Sequence, residues 1–238
     1  MREASGVASN LRSLPPGGGG VSSLGDRFQP DLVKGTGNYS IPLHFPAGPN
    51  ELKPSLALVY STGYGNGVFG LGWQLNPMRI ERRTDRGVPN YGQGDKQDEF
   101  ILAGAGLLVP VGEGRYRPIS DNAHWLIQRT GDHWEVRDGS GRILRFGVTP
   151  EAREECDGRV FAWCLEEEID AAGNKILYTY QKDGNVRYFQ ELRYSIFRIL
   201  IHYGERPDVL RNGRSGFLRE TRLRATTIDL HCSQVSPT

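Results

Sequence analysis

The amino-acid sequence predicts an all-β protein made of antiparallel hairpins, arranged either as a sandwich or as stacked sheets. Three observations lead to this fold class. Short apolar segments recur from Phe28 onward with clusters of Gly, Pro, Asn and Asp between them, the pattern of strands joined by turns. Glycine and proline together supply about a fifth of the 238 residues, above the usual ~12%. Helical periodicity is scarce, and a single segment carries it.

Several strands are predicted in the first two thirds of the chain. SLALVYS (55–61) is an apolar run that ends in tyrosine and meets a glycine-rich stretch. DEFILAG (98–104) and GLLVPV (106–111) are two apolar runs joined through Gly-Ala-Gly. HWEVRDGSGRILRFG (133–147) has apolar residues on both sides of an Asp138–Gly139 turn. Apolar runs separated by such turn residues indicate β-hairpins.

The segment FAWCLEEEIDAAGNKILYTYQ (161–181) gives the clearest hairpin signal. Its first strand is predicted to carry apolar side chains on one face at a period of two, its turn lies at Asp170–Asn174, and its second strand alternates in the same way. The face residues are Phe161, Trp163, Leu165 and Ile169 on the first strand, and Ile176, Tyr178 and Tyr180 on the second.

The segment NVRYFQELRYSIFRILIHY (185–203) has two interpretations. Phe189, Leu192, Ile196 and Leu200 fit helical spacing. The alternative is two strands, because tyrosine, isoleucine and phenylalanine are frequent here and the end of the segment also alternates. We favour two strands.

The chain is predicted to consist of a flexible arm, residues 1–27, and one β domain, residues 28–238. The arm is rich in Ser, Gly and Pro, and it has too few large apolar groups to offset the entropy of ordering. It has no continuous apolar run of the kind that a Sec signal peptide needs. No apolar run approaches the ~20 residues of a membrane span.

Charge is balanced over the whole chain but uneven along it. The net charge of +1 argues against a strongly basic or acidic partner surface. Residues 151–170 are acidic and residues 206–224 are rich in arginine. We expect these two segments to form exposed, mutually complementary surfaces. A nucleic-acid partner is not expected, because no aromatic stripe accompanies the arginines.

The stretch YSTGYGNGVFGLGW (60–73) raises the question of a phosphate site. Gly65, Gly67 and Gly70 satisfy a GxGxxG pattern, but Pro77 stops the segment that follows, so no dinucleotide-binding helix is predicted. No lysine follows the glycines, which excludes a P-loop. The glycines are therefore interpreted as a tight β connection, with its aromatic residues Tyr64, Phe69 and Trp73 as anchors to the core.

Other candidate sites are weaker. ADP-ribosyl transfer is often built on an arginine, a Ser-Thr-Ser strand and a Glu-x-Glu turn. Here Ser61–Thr62 leads into glycine, and Glu166 and Glu168 are expected on the solvated face of a strand. No GxSxG nucleophile motif occurs. The sequence thus predicts no catalytic residues.

Metal and sugar sites were considered as well. A zinc site from Cys156, Cys164, His231 and Cys232 would require the fold to collect distant strands, so no metal and no cofactor are predicted. Exposed aromatic residues can stack on sugars, but tryptophans in strands are more often core residues. The aromatic candidates are Tyr91, Trp125 and Trp134.

Several segments together resemble one family. SLPPGGGGVSSLGDRFQPDLVKGTGNYSIPLHFPAG is similar to the start of the SpvB-type virulence-plasmid B domain, which is also the N-terminal part of the B component of bacterial insecticidal toxin complexes. PSLALVYSTGYGNGVFGLGWQLNPMRIERRTDRGVP resembles its most recognisable stretch, with Thr62–Gly63 in place of the usual Ser-Gly pair. DEFILAGAGLLVPV, WEVRDGSGRILRFG, WCLEEEIDAAGNKILYTYQ and RPDVLRNGRSGFLRETRLRATTIDLHC continue the resemblance, which covers about residues 13–232.

The resemblance implies a secreted, non-catalytic β module of a shell that encloses or carries a toxin. Its expected partners are other toxin-complex components, such as repeat-shell and propeller-like domains. Because relatives continue into such domains or into a separate ADP-ribosyltransferase domain, this chain is expected to be a fragment, a truncated gene product, or a partner that works with other chains. An alternative implied by the same family is the N-terminal part of a mono-ADP-ribosyltransferase toxin, and a carbohydrate-binding module is a further alternative.

Overall fold

The computed structural model describes residues 27–31, 35–75, 77–93, 97–120 and 124–232. In these ranges the regular structure is β-strand apart from two single 3-10 turns, and every strand pairing is antiparallel. The predicted all-β fold of antiparallel hairpins is confirmed. The predicted arm falls almost wholly outside the described residues.

The strands are numbered in chain order. They are β1 Arg27–Asp31, β2 Thr36–Pro42, β3 Ala57–Ser61, β4 Asn66–Gly67, β5 Gly70–Leu71, β6 Trp73–Leu75, β7 Arg79–Arg82, β8 Phe100–Leu102, β9 Gly106–Gly112, β10 Arg115–Pro118, β11 Leu126–Thr130, β12 His133–Arg137, β13 Ile143–Phe146, β14 Arg153–Cys156, β15 Arg159–Ile169, β16 Lys175–Asp183, β17 Val186–Tyr194, β18 Phe197–Asn212 and β19 Arg219–Cys232. The 3-10 turns are Pro49–Glu51 and Pro150–Ala152.

Eight strands form a closed ring. β7 to β13 follow one another by hairpins, and β15 pairs with β7 on one side and with β13 on the other. Trp163 lies opposite Ile80 in β7, and Ile169 lies opposite Ile143 in β13. The long strand β15 therefore closes the sheet, so opposite walls face each other across one core.

The interior of the ring holds a large part of the main hydrophobic core, which also includes residues of β16, β17 and β18. Alternate residues of each strand point inward, as the period of two predicts. The side chains with almost no exposed surface include Ile80, Leu102, Ile127, Trp134, Val136, Leu144, Phe146, Trp163 and Leu165. Both tryptophans are at 0% exposure, which makes them central packing residues.

Beyond the ring the sheet continues through β16, β17, β18 and β19. The segment 185–203 forms β17 and the beginning of β18, so the choice of two strands over a helix is confirmed. Ser195 adopts a φ of 50° in the turn between them. The predicted turn at Asp170–Asn174 is also present, where the Asp170 carboxylate accepts hydrogen bonds from the amides of Ala172 and Asn174.

Strand β15 departs from the predicted simple alternation. The register between β13 and β15 shifts after Arg145, where Phe146 lies opposite Leu165. A bulge of this kind moves the following side chains to the other face. Glu168 is consequently buried, and its prediction as a solvated residue is wrong. Phe161 packs in a small separate cluster with Phe217 and not with the face of Trp163.

A second sheet is formed by β1, β2, β3 and β6, and β4 pairs with β5 in a short hairpin between β3 and β6. Leu56 and Leu75 of this region belong to the main core, so the second sheet packs against the larger one. The described ranges contain no helix with the length and apolar character of a membrane-spanning segment.

Candidate functional site

The glycine segment, residues 60–73, forms the connection from β3 to β6. The amide of Gly72 donates to the oxygen of Gly65 at 3.1 Å, and the amide of Ser61 donates to the oxygen of Gly72 at 2.9 Å. The amides of Gly63 and Tyr64 both donate to Ser61. Because these amides bind within the segment, they do not converge on a phosphate-sized ligand as the amides of a phosphate loop do.

Gly72 is required by its surroundings. Its φ is +79°, and a Cβ at this position would lie 2.5 Å from Cε2 of Tyr60 and 3.1 Å from the oxygen of Ser61. A side chain here would clash and would also force the left-handed backbone region that favours glycine. This geometry supports the interpretation of the segment as a tight β connection.

The aromatic residues of the segment have different surroundings. Trp73 is half-buried and packs against Tyr60 and Tyr39, with ring centroids 5.3 and 6.2 Å away. Phe69 packs against the main core. Tyr64 is 39% exposed and is not the core anchor that the sequence predicted.

The glycine segment docks on the hairpin of β18 and β19. Arg206 is buried and donates from Nη1 to the oxygen of Gly67 at 3.1 Å. Asn66 donates from Nδ2 to Asp208 at 2.9 Å. The amide of Ala225 donates to the oxygen of Val68 at 2.9 Å. These three bonds fix the segment over the extended part of the main sheet.

A cavity of about 530 Å³ lies beneath the docked segment. Its wall combines the segment with side chains from β7, β15 and the β16–β19 region, including Arg79, Cys164, Tyr180, Arg187, Tyr203 and Arg219. Burial, reinforced by the negative charge of Glu154, raises the pKa of the Cys164 thiol to about 12. The thiol therefore stays protonated near neutral pH and is a poor nucleophile.

The charged groups around this cavity form ion pairs or hydrogen bonds with the protein, although the buried Nε of Arg219 has no hydrogen-bond partner among the described residues. Arg219 Nη2 lies 2.8 Å from a carboxylate oxygen of the buried Glu154, and Arg79 pairs with Glu81 and approaches Glu154 at 3.8 Å. Burial lowers the pKa of Arg187, whose guanidinium donates to four main-chain oxygens, among them that of Glu151 at 2.8 Å. These contacts hold the cavity wall together, and they provide no activated nucleophile.

The residues considered for ADP-ribosyl transfer also have structural partners. Glu166 accepts hydrogen bonds from the amide and the hydroxyl of Thr149, at 2.9 and 2.6 Å. Glu168 accepts from Arg142 at 3.0 Å and from the Tyr178 hydroxyl at 3.3 Å. The Thr62 hydroxyl accepts from the amide of Gly37 at 3.1 Å, between β2 and β3.

The four residues of the conceivable zinc site lie on separate elements. Cys156 ends β14, Cys164 lies in the middle of β15, and His231 and Cys232 end β19. Within the described ranges, no cluster of three or more His, Cys, Asp or Glu side chains is placed to hold a metal ion. None of the three cysteines forms a disulfide within the part of the chain that the structure describes.

The aromatic residues considered for sugar stacking offer little open surface. Trp134 is completely buried, and Trp125 is half-buried against the main core. The ring of Tyr91 packs against Phe217, and its hydroxyl donates to the oxygen of Ser215. The structure therefore uses these rings for packing.

The acidic and basic segments do meet, although not as exposed surfaces. Glu154 of the acidic segment pairs with Arg219 of the basic segment, and Glu154 is almost fully buried. Other arginines of the basic segment pair mainly inside their own hairpin, as Arg206 does with Asp208 and Arg211 with Glu220.

A polar cluster that the sequence motifs did not indicate lies inside one end of the ring. Arg82 and Arg129 follow the inward residues Ile80 and Ile127 by two positions, which is the signal that they face the interior. Their guanidinium groups lie over buried aromatic rings, including that of Trp163 at 5.5 and 5.3 Å. We call this cluster the arginine end of the ring.

Comparisons with known proteins identify relatives. The model of the family described as Salmonella virulence plasmid 65kDa B protein (SpvB) matches residues 31–125 and 115–199. Mono(ADP-ribosyl)transferase SpvB of Salmonella typhimurium is 31% identical over 200 residues, which covers 70% of this chain and 32% of the relative. The same protein of Salmonella choleraesuis (strain SC-B67) is 31% identical over 201 residues, with 71% and 32% covered.

Solved structures share the fold. The crystal structure of TcdB2-TccC3 superposes with a TM-score of 0.78 at 22% identity, covering 97% of this chain and 15% of the other. The N-terminal domain of the effector protein SpvB from Salmonella typhimurium strain LT2 gives a TM-score of 0.68 at 22% identity, with 80% and 86% covered. The chain thus spans about a third of the length of the curated relatives and most of the solved SpvB N-terminal domain.

Proposed function

The chain belongs to the SpvB family, and we propose that it is a structural module, without catalytic activity of its own, of a toxin-complex B-type virulence protein. In this role it contributes folded β-structure to a shell that encloses or carries a toxin. The proposed partners are the other components of such a complex, namely repeat-shell and propeller-like domains. Nucleic acid is not among them.

The observation that carries the proposal is that the polar groups that an enzyme would need form hydrogen bonds within the fold or are buried. Both glutamates of the Glu-x-Glu pair accept hydrogen bonds from neighbouring strands and turns, and the buried thiol Cys164 has a raised pKa. Catalytic groups are usually held in a cleft with a reactive atom facing substrate. Here the corresponding groups hold strands together.

The comparisons support the same role. The fold recurs as 15% of the TcdB2-TccC3 chain and as most of the solved SpvB N-terminal domain, so it is used as one domain of longer proteins. The name of the curated relatives describes a mono(ADP-ribosyl)transferase, and this chain aligns with 32% of that protein. We propose that this family member functions outside the bacterial cell.

Association with shell components tests the proposal. We expect the purified chain to co-elute in gel filtration with a repeat-shell or propeller-like partner, and to be retained by that partner in a pull-down assay. A heat-unfolded sample of the chain serves as the control. If the chain associated with none of these partners, the structural role would be contradicted.

The second candidate function, favoured by the 31% identity, is the N-terminal part of a mono-ADP-ribosyltransferase toxin. A transfer assay with labelled NAD tests whether the purified chain itself carries transferase activity. The structural proposal predicts no transfer by the purified chain, and a Glu166→Gln, Glu168→Gln double variant should give the same background. Transfer that depends on these glutamates would overturn it.

A further inference from the structure

We propose that the arginine end of the ring is an anion-binding site that takes a carboxylate group. The site is formed by Arg82 and Arg129 together with the rings of Phe100, Trp134 and Trp163.

The strand register places the two arginines on the interior face. Arg82 lies opposite Phe100 between β7 and β8, and Arg129 lies opposite Trp134 between β11 and β12. Directly opposed residues of antiparallel strands share a face. The Arg129 guanidinium is 5.3 Å from the ring of Trp163, and the Arg82 guanidinium is 5.5 Å from the same ring. The two cations therefore flank one indole ring.

The carboxylate at this end of the ring, Asp98, is already paired with Arg82. Asp98 forms a buried ion pair with Arg82, and its oxygens also accept from the amides of Asn90 and Tyr91, at 2.6 and 2.8 Å. Arg82 also donates from Nε to the oxygen of Val160 at 2.7 Å. Each group of this pair is thus well supplied with partners.

Arg129 lacks such a partner. Among the described residues no carboxylate is paired with Arg129, and its buried Nε makes no hydrogen bond. The positive charge of Arg129 also acts on Arg82, whose pKa is lowered first by burial and further by this neighbour. Two cations with one carboxylate leave one positive charge without a carboxylate partner at the arginine end of the ring, and a bound anion would balance it.

A second orphan donor lies beside Arg129. Trp134 has no exposed surface, and its Nε1 has no hydrogen-bond acceptor. By contrast, the indole of Trp163 donates to the oxygen of Asp132 at 2.8 Å. Buried donors are satisfied in most folded proteins. Two neighbouring groups that both lack an acceptor point to a ligand that accepts hydrogen bonds.

The chemistry of the site selects the ligand. A planar guanidinium favours a planar carboxylate, which it binds through two parallel hydrogen bonds. Arg129 is partly exposed at the end of the ring, so a ligand has access from solvent. The carboxylate can belong to a free small anion or to an acidic side chain of a protein partner, and the following experiment distinguishes these sources.

The test uses the whole chain and two probes. In one titration acetate replaces a bulky sulfonate at constant ionic strength. In the other titration a short glutamate-rich peptide is the probe in place of acetate. Tm and tryptophan emission are recorded, because the site contains two tryptophans. We expect a saturable rise in Tm and a change in emission, since a ligand that binds only the folded state stabilises it. A response to acetate assigns a free anion, and a response to the peptide alone assigns a partner side chain.

Variants decide whether the response belongs to this site. Arg129→Gln should abolish it, and in the sulfonate buffer this variant should be at least as stable as the parent because a repulsive charge has been removed. Arg137→Gln, on the exposed end of the adjacent strand β12, is the matched control and should respond normally. If Arg129→Gln fails to fold, Arg129→Lys keeps the charge and should respond at higher probe concentration.

Three results would overturn the proposal. The first is the absence of a saturable response to both probes in the folded parent protein. The second is an equal response in the parent and in the Arg129 variants. The third is a Tm for Arg129→Gln well below that of the parent in the sulfonate buffer, which would mean that cation–π packing alone accounts for the position of Arg129.

Discussion

Arg206 on β18 donates a hydrogen bond from Nη1 to the main-chain oxygen of Gly67, 139 positions earlier in the chain, at 3.1 Å. The arginine side chain is almost fully buried and also pairs with Asp208, which in turn accepts a hydrogen bond from Asn66. A sequence-distant side chain therefore fixes the glycine segment in place. This contact makes the segment part of the folded scaffold.

Replacement of Arg206 should destabilise the protein. Arg206→Met leaves the oxygen of Gly67 without its partner, and an unsatisfied buried acceptor costs about 1–3 kcal/mol. Urea unfolding measures the change. The control is Arg211→Met, on the same strand β18. Arg211 forms an exposed ion pair with Glu220 of β19, so its replacement should cost less than about 1 kcal/mol. Equal effects of the two variants would mean that the docking bond contributes little.

Gly72→Ala should destabilise the protein by more than the cost of placing an alanine in a left-handed backbone conformation. At this site the new Cβ would contact the ring of Tyr60 at 2.5 Å in addition to requiring a φ of +79°. The control is Gly104→Ala, where φ is +86° and no atom lies within 4 Å. The control should cost about 1–2 kcal/mol, and overpacking should add about 1–3 kcal/mol at Gly72. Thermal unfolding of both variants compares them, and equal losses would disprove the close approach.

The tryptophans should differ in their contribution to stability. Trp163→Ala removes a completely buried side chain and should cost about 3–5 kcal/mol. Trp73→Ala removes a half-buried ring that packs on Tyr60, so about half of that loss is expected. Urea unfolding midpoints give the ranking. A Trp73→Ala variant that unfolds together with the parent would indicate an exposed loop and would reopen the question of a ligand at the glycine segment.

Glu166→Ala is the surface comparison for these variants. Its carboxylate accepts two hydrogen bonds from Thr149 at an exposed turn, so the expected loss is near 1 kcal/mol and well below that of Trp163→Ala. The NAD transfer assay should show no change in background. A stable Glu166→Ala protein that lost a measurable transferase activity would contradict the scaffold role.

Glu191 should make stability depend on pH in the acid range. Burial opposes its charge, but hydrogen bonds from Arg198 and Arg193 outweigh burial and lower the pKa below the ordinary 4.5. A carboxylate with a lowered folded-state pKa stabilises the fold above the unfolded pKa, and this contribution is lost as pH falls through the folded pKa. We therefore expect stability to fall as pH decreases below about 4.5.

Urea unfolding between neutral pH and pH 3 measures this dependence. Glu191→Gln should flatten the acid part of the curve, because the titrating group is gone. Glu113→Gln, whose side chain is 82% exposed, should leave the curve unchanged. An unchanged slope in Glu191→Gln would show that other carboxylates carry the acid dependence.

Local patterns were sufficient for the fold class and for most hairpins. The turn at Asp170–Asn174 and the two strands in 185–203 depend on neighbours along the chain, and the structure has both. The family resemblance likewise rested on contiguous motifs. A prediction that depended on non-local pairing was wrong. Glu168 was expected in solvent, but a bulge opposite Phe146 turned it inward.

By itself the sequence determined an all-β chain of antiparallel hairpins, its family and a glycine segment that is not a phosphate loop. Such properties follow from residue types a few positions apart, because side-chain period and turn conformation are local. Only the tertiary structure decided that β15 closes a ring, that Arg206 docks the glycine segment, and that Arg82 and Arg129 share one interior. These relationships join residues distant in sequence, and their formation depends on packing, burial and uncompensated charge in the complete fold.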